Sequence, residues 1–233
     1  MTLDDKHINI TIITHKFIYD RLIKLTYKEH HHRKKWHDHF GCEVNWDNVW
    51  AAVHNPVSTE DTKTIVWEQI HLNSYTTYSY NKWHQIKAPC PFCLLIPHER
   101  HHIPMSCTVI AKLWKELEEH LKLIHPVALS DDEKIFGVHG TTPNIILLRN
   151  WLTYLFRQIV TKQEHRAFHN KRGPSNAQDI RIVLNGKVKS EIWLKYNIYR
   201  NVEREDYFTK IFAVNDYLIT WENEQWNVLT LFT

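Results

Sequence analysis

Residues 90–107 read CPFCLLIPHERHHIPMSC and contain three of the four cysteines of the chain. Their spacing is C-x2-C-x8-H-x4-C, with Cys90, Cys93, His102 and Cys107 at the fixed positions. Three thiolates and one imidazole suit Zn²⁺, and four protein ligands leave no open coordination position for a catalytic water. The spacing therefore predicts one structural zinc ion, and it favours a binding module over an enzyme.

The prolines around these positions predict a compact knuckle followed by a helix. Pro89 and Pro91 restrict the backbone on either side of Cys90, and Pro97 and Pro104 prevent a long helix between the two halves of the site. Apolar residues then recur at helical spacing through TVIAKLWKELEEHLKLI, residues 108–124. We expect the metal to fasten the knuckle to the start of this helix.

The identity of the fourth ligand is open, because His98, His101 and His102 all lie between Cys93 and Cys107. The four-residue gap to Cys107 favours His102 and makes His101 the second candidate. The same segment, HERHH, also matches the HExxH pattern of zinc proteases, which needs a helix and uses the Glu99 carboxylate as a general base. Pro97 and Pro104 leave room for little more than one helical turn, so a metalloprotease is the least favoured interpretation.

Composition indicates a globular, helical protein. The chain has 233 residues, of which 43% are hydrophobic and 12% aromatic, and only 5 glycines, which is few for a fold rich in tight β-turns. No apolar run reaches the roughly 20 residues of a membrane span, and Asp4 and Asp5 stand where a signal peptide would be basic. Cysteines in a metal-binding pattern suggest a reducing compartment, the nucleus or the cytoplasm, and we expect no membrane association.

We predict a mostly α-helical fold in two regions, residues 1–125 with the zinc knuckle and residues 126–233. Ser58 and Asp61 have the spacing of a capping interaction, and Pro143 suits the first turn of a long helix that Gly173–Pro174 ends. Apolar periodicity predicts the principal helices at residues 14–28, 44–53, 59–72, 108–124, 143–168 and 175–204.

Two basic segments are candidates for phosphate binding. The net charge of +3 permits nucleic-acid binding without requiring it. The alternative for both segments is a solvated helix face, which charge runs usually form. Tyrosines within residues 73–89 could also stack on bases, although such residues more often half-bury along a loop. The candidate residues are Arg33, Lys34, Lys35, Trp36, Arg157, Lys162, Arg166, Lys171 and Arg172.

Familiar catalytic patterns are otherwise missing from the sequence. It has no glycine-rich phosphate loop, no GxSxG elbow and no aspartate pair in an apolar, strand-like setting. The histidines at 30–32 and 37 follow no ligand spacing with the nearby Cys42, so a second metal site is not favoured. We therefore expect no catalytic activity from this chain.

At the knuckle, the sequence resembles the zinc-binding domain that follows the reverse transcriptase in non-LTR (LINE-type) retrotransposons. The resemblance rests on CPFC, on HIPMSC and on the helix that carries Leu113 and Trp114, and it extends upstream to KWHDHFGCEVNWDNVWAAVH and TIVWEQIHLNSY. It covers roughly residues 14–120, and residues 121–233 match only loosely. Two positions depart from the family pattern: His98 stands at its usual acidic position, and Ile103–Pro104 replaces its aliphatic–aromatic pair.

The resemblance implies zinc ligation by Cys90, Cys93, His102 and Cys107 and binding of template RNA or target DNA during target-primed reverse transcription. It also implies an upstream polymerase as a partner, because neither reverse transcriptase nor endonuclease motifs occur in this sequence. The alternative function is a zinc-stabilised protein-interaction module that binds a protein partner and no nucleic acid.

Overall fold

The computed structural model confirms the mostly helical fold. None of the helices in the described part of the chain has the length and hydropathy that a membrane span requires. The described residues are 2–3, 6–7, 31–74, 76–100, 102–140, 142–169, 176–214, 217–222 and 225–231.

The chain divides into two compact units, residues 1–44 and residues 45–233. In the first unit, strands β1 (Thr2–Leu3) and β2 (Lys6–His7) pair antiparallel, and helix α1 spans His31–Phe40. The helix predicted at residues 14–28 lies outside the described residues.

The second unit contains the remaining helices and one hairpin. A single π turn, His102–Ser106, precedes α5. Strands β3 (Ile219–Glu222) and β4 (Gln225–Val228) pair antiparallel, with Trp221 opposite Trp226. The helices are α2 (Trp46–Val53), α3 (Glu60–Ile70), α4 (Thr77–His84), α5 (Thr108–Ile124), α6 (Asp131–Phe136), α7 (Pro143–His169), α8 (Ala177–Asn201) and α9 (Glu205–Phe212).

Side-chain caps fix several of these helix starts. Thr59, and not the predicted Ser58, caps α3 by accepting from the Thr62 amide, while Ser58 is buried. Ser130 with Glu133 and Asn176 with Asp179 form complete capping boxes at α6 and α8. Each such cap satisfies backbone N–H groups that the first helical turn leaves without a partner.

Helix α7 is the central helix of the second unit and packs against α3, α5, α8 and α9. Every residue from Leu148 to Thr161 is buried. A helix surrounded on all sides buries its polar residues as well, and Arg157 donates to the Ile135 carbonyl from the interior. The prediction that Arg157 lies on a solvent-facing basic surface is therefore wrong.

One hydrophobic core joins the knuckle to the long helices. Cys90, Phe92 and Cys107 belong to the same buried cluster as residues of α5, α7, α8 and α9. The ring of Trp114 on α5 meets Phe156 on α7 edge to face, with centroids 4.5 Å apart. The core thus holds residues from both sides of residue 125, and the predicted division of the chain at that point stays a prediction.

Candidate metal centre

A tight backbone turn places the first two cysteines on the same side. The Cys90 amide donates to the Leu95 carbonyl at 2.8 Å, and the Leu94 amide donates to the Cys90 carbonyl at 3.0 Å. Leu94 adopts a left-handed conformation, with φ of 62°, that closes the turn. The predicted knuckle is therefore present, and it directs both thiols towards the start of α5.

The π turn brings together the other two candidate ligands, His102 and Cys107. The Cys107 amide donates to the His102 carbonyl at 2.7 Å, which is the i→i+5 bond of a π turn. Four residues lie between His102 and Cys107, as the sequence predicted, so these two residues are at positions i and i+5. The π-turn bond therefore brings them together. Cys107 also occupies the cap position at the start of α5, as the sequence predicted.

The four side chains converge on one point. The ligand atoms of Cys90, Cys93, His102 and Cys107 all lie within 4.8 Å of one another. The two sulfurs of Cys90 and Cys107 are 3.9 Å apart, and Cys93 Sγ is 3.3 Å from His102 Nε2. A tetrahedral zinc site with Zn–S bonds of about 2.3 Å has edges of about 3.8 Å, so this arrangement fits such an ion.

The protein stabilises a thiolate at Cys107. A hydrogen bond from the Cys90 thiol lowers the pKa of Cys107, with further help from His102 and from the amides of Ile110 and Val109. These amides are the N–H groups at the start of α5, where a helix favours negative charge. The same hydrogen bond and burial raise the pKa of Cys90, so the two cysteines share one proton. A metal ion would displace that proton, since thiolates are its ligands.

A second set of groups orients the His102 imidazole. While Nε2 faces the cysteines, Nδ1 lies 3.4 Å from the Ser106 hydroxyl. The Ser106 hydroxyl also donates to Glu99 Oε1 at 2.8 Å. Metal-binding histidines commonly use their second ring nitrogen in this way, which fixes the tautomer and the ring orientation. Glu99 thus supports the imidazole through Ser106.

This geometry differs from the one that the HExxH pattern requires. Residues 98–100 form a bend and a turn, and His98 is exposed and does not belong to the four-residue group. His101, the second candidate for the fourth ligand, lies outside the described residues.

The structure places the predicted nucleic-acid-binding residues in different surroundings. On α1, Lys34 and Lys35 are exposed and Arg33 is half-buried, but Trp36 is only 2% exposed and stacks on Phe40. Trp36 therefore does not present its ring to solvent, contrary to the prediction.

On α7, only one of the predicted cations is well exposed. Arg157 is buried, Lys162 pairs with Asp61, and Arg166 is exposed. Lys171 and Arg172 lie outside the described residues. The long helix therefore does not present the continuous basic side that the sequence suggested.

A surface that the sequence predictions missed lies directly before the knuckle. The Asn81 side chain donates to the Ala88 carbonyl and accepts from the Ala88 amide, both at 2.8 Å, and so ties the last turn of α4 to the segment that follows it. We call residues 82–87, the end of α4 together with the turn after it, the Trp83 loop. Its exposed side chains include Lys82, Trp83, which is 56% exposed, and Lys87. The KWHQIK sequence combines cations with an aromatic residue, which could have identified it.

Comparisons of the chain with protein-family models, with curated proteins and with solved structures gave no match.

Proposed function

We propose that this protein is a non-catalytic nucleic-acid-binding module organised by one structural zinc ion. The observation that carries the proposal is the convergence of three thiols and one imidazole within 4.8 Å. This donor set favours zinc over harder ions such as Mg²⁺ or Ca²⁺, and all four positions of a tetrahedron are occupied by protein. The ion would link the knuckle to the start of α5.

The Trp83 loop supports the nucleic-acid part of the proposal. Lys82 and Lys87 carry positive charge at the surface, and between them Trp83 offers an exposed ring. Lysines neutralise phosphates, and aromatic rings stack on unpaired bases of RNA or DNA. The loop ends at Ala88, two residues before Cys90, so zinc binding would hold it in place. The ligand we propose is single-stranded RNA or DNA.

The resemblance to the region after the reverse transcriptase of non-LTR retrotransposons points the same way. It would make the ligand the template RNA or the target DNA, and an upstream polymerase the partner, in the nucleus or cytoplasm. This assignment is part of the proposal and depends on the knuckle sequence and its extension to Trp114.

Metal content tests the zinc site. We expect one zinc per chain by mass spectrometry, and we expect Cys107→Ser to lose the zinc and to lower the free energy of unfolding. Cys42→Ser is the matched control, because Cys42 is exposed and lies outside the four-residue group. A folded wild-type protein without zinc, or a Cys107→Ser variant that keeps it, would contradict the proposal.

Salt-dependent binding to a single-stranded oligonucleotide tests the nucleic-acid surface. We expect affinity to fall steeply with salt, and the double variant Lys82→Ala/Lys87→Ala to reduce the log–log slope by about 1.4, since each phosphate contact on a single strand contributes about 0.7. Trp83→Ala should weaken binding at every salt concentration through lost stacking. Lys115→Ala and Trp221→Ala, which also alter exposed residues, should have no effect.

The absence of binding at low salt would instead favour the second candidate, a zinc-stabilised protein-interaction module. One observation favours that function: Leu94, Leu95 and Ile96 follow each other at the knuckle and are 60%, 58% and 42% exposed. Consecutive exposed apolar residues on a rigid turn are typical of a protein contact. If a Leu94→Ser/Leu95→Ser variant kept its oligonucleotide binding, this apolar turn would not be part of the nucleic-acid surface.

A further inference from the structure

Helix α8 presents a second apolar face that the fold of the second unit does not cover. Its inner face packs on α7 and α9 through Ile180, Leu184, Val188 and Ile192. On the outer side, Lys189 is the one charged residue among the nine exposed positions from 182 to 198. The apolar members of that set, with their exposed fractions, are Ile182 (61%), Val183 (36%), Trp193 (47%), Leu194 (55%) and Ile198 (52%).

A glycine lies in the middle of this outer face. Gly186 is exposed, and a β-carbon built on it would meet nothing within 4 Å. Glycine is less favourable than alanine inside a helix, so a residue of this type needs a reason. No neighbouring group in the described part of the chain is so close that only glycine fits at position 186. Close approach of another backbone is a common reason for glycine at such a position.

The residues of the outer face before Ser190 match those after it, so that the faces of two copies would fit each other. Gly186 and Leu194 lie four residues before and after Ser190, and Ile182 and Ile198 lie eight residues before and after it. In an antiparallel pair of α8 helices with a two-fold axis beside Ser190, Leu194 of one copy would lie opposite Gly186 of the other. Ile182 would meet Ile198 at both ends. A two-fold interface requires this reciprocal match.

The charged groups on the same face fit the antiparallel arrangement. Asp179 and Arg200 are exposed near opposite ends of α8, so each Asp179 would lie near Arg200 of the second copy. Lys189 would lie beside the Trp193 ring of the second copy, where a cation–π contact is favourable. The two helix dipoles would run in opposite directions.

We propose that the outer face of α8 is a homodimer interface in which two copies of this chain pack antiparallel about Ser190. The proposal depends neither on zinc nor on nucleic acid, so it can fail while the proposed function stands. A partner of different sequence would not need the reciprocal pattern of Gly186 with Leu194 and Ile182 with Ile198.

The oligomeric state of the full chain, saturated with zinc, tests the proposal. We expect sedimentation equilibrium to show a concentration-dependent dimer, and Leu194→Arg to raise the dimer dissociation constant at least tenfold. The matched control is Leu123→Arg on α5, because Leu123 is 60% exposed and lies outside the face. It should leave the dimer unchanged. A wild-type chain that is monomeric at 100 micromolar would overturn the proposal, as would a dimer that Leu194→Arg does not weaken.

Disulfide trapping tests the orientation. In a Cys42→Ser background with bound zinc, we expect a mixture of Gly186→Cys and Leu194→Cys chains to form the mixed disulfide faster than either chain crosslinks with itself. Chains that crosslink mainly with themselves would indicate a parallel pair and overturn the antiparallel geometry. No crosslinking above the Cys42→Ser background would overturn the interface itself.

Discussion

At the scale of single residues, the four-residue group of the candidate metal centre was the most predictable feature of this protein. Cys90, Cys93, His102 and Cys107 could be identified from residue type and spacing, because ligand chemistry and loop closure are local properties. The partner of the His102 Nδ1 atom could not be identified in the same way. Ser106 is four residues away, and only the π turn brings its hydroxyl to the ring.

We predict that Ser106→Ala weakens zinc binding about tenfold while leaving all four ligands in place, because the imidazole loses the group that orients it. A competition titration with a chromophoric chelator measures the change. Glu99→Gln should reduce affinity less, since an amide oxygen still accepts from Ser106. If the zinc-loaded chain had a peptidase activity that Glu99→Gln abolished, the result would support the metalloprotease and contradict our proposal.

A buried carboxyl on α7 was not predicted from the sequence. Glu164 is 2% exposed and accepts from the amide and the hydroxyl of Thr77, at 2.6 and 2.8 Å. Burial raises the pKa of Glu164 to about 7, although these two hydrogen bonds oppose the rise. The side chain ties the start of α4, and with it the Trp83 loop, to the central helix.

The raised pKa of Glu164 predicts a pH-dependent effect of Glu164→Gln. The folded protein holds the Glu164 proton more tightly than the unfolded chain, so its contribution to stability is complete below pH 4.5 and is lost as the pH rises to about 7. Glutamine keeps the acceptor and has no charge to bury. Relative to wild type, the variant should therefore gain free energy of unfolding between pH 5 and pH 8, by up to roughly 3 kcal/mol.

Denaturant unfolding of both proteins at the two pH values, with zinc in excess, measures this difference. Comparing the two proteins at each pH cancels the effect of pH on the metal ligands. A difference that does not change between pH 5 and pH 8 would contradict the assignment. Thr77→Val, which removes the hydroxyl donor but keeps the amide, should raise the apparent pKa further.

At the scale of elements, the sequence predicted helices well and their surroundings less well. Pro143 marked the start of α7, and the apolar spacing identified α5 and α8. Periodicity describes one face at a time, so it did not predict that α7 is covered on all sides and that Arg157 lies inside. Similarly, the hairpin of β3 and β4 depends on contacts of Trp226 with Phe208 on α9, which no local pattern contains.

Two glycines with opposite surroundings give an element-scale prediction. Gly137 follows α6 with φ of 91°, and a β-carbon there would lie 2.9 Å from Ala52 Cβ, 3.0 Å from Asn150 Oδ1 and in conflict with the Tyr154 hydroxyl. Gly137→Ala should therefore cost on the order of 2–4 kcal/mol of unfolding free energy. Gly186→Ala on α8 should stabilise the monomer by up to about 1 kcal/mol.

Thermal and denaturant unfolding compare the two variants. The protein concentration is about 1 micromolar, because a low concentration favours the monomer by mass action. Equal effects of the two substitutions would contradict the packing described around Gly137.

At the scale of the whole molecule, the candidate metal centre belongs to the main core of the second unit. Cys90 and Cys107 lie in the same buried cluster as Trp151, Leu155 and Phe212. That connection was not visible in the sequence, which suggested a knuckle region and a separate helical region, because long-range packing has no local pattern. The core on α7, α8 and α9 nevertheless contains large apolar residues outside the four-residue group.

We predict that chelation of zinc removes hydrogen-exchange protection from residues 90–107 and the first turns of α5, while α7 and α8 keep most of theirs. The reason is that the knuckle has little apolar surface of its own, whereas α7 is enclosed by other helices. Mass spectrometry of peptides after exchange, with and without chelator, makes the comparison. Uniform loss of protection across α7 and α8 would show that zinc controls the entire second unit.

The π turn at His102–Ser106 has a consequence for how this segment can change in evolution. Its i→i+5 bond requires a fixed number of residues between the His102 carbonyl and the Cys107 amide. Removing or adding one residue there would rotate His102 by about 100° relative to Cys107, away from the other ligands. The side chains of residues 103–105 can be exchanged one at a time within their packing limits, but the segment cannot be shortened or lengthened. We therefore expect related sequences to differ here by substitutions and not by insertions or deletions.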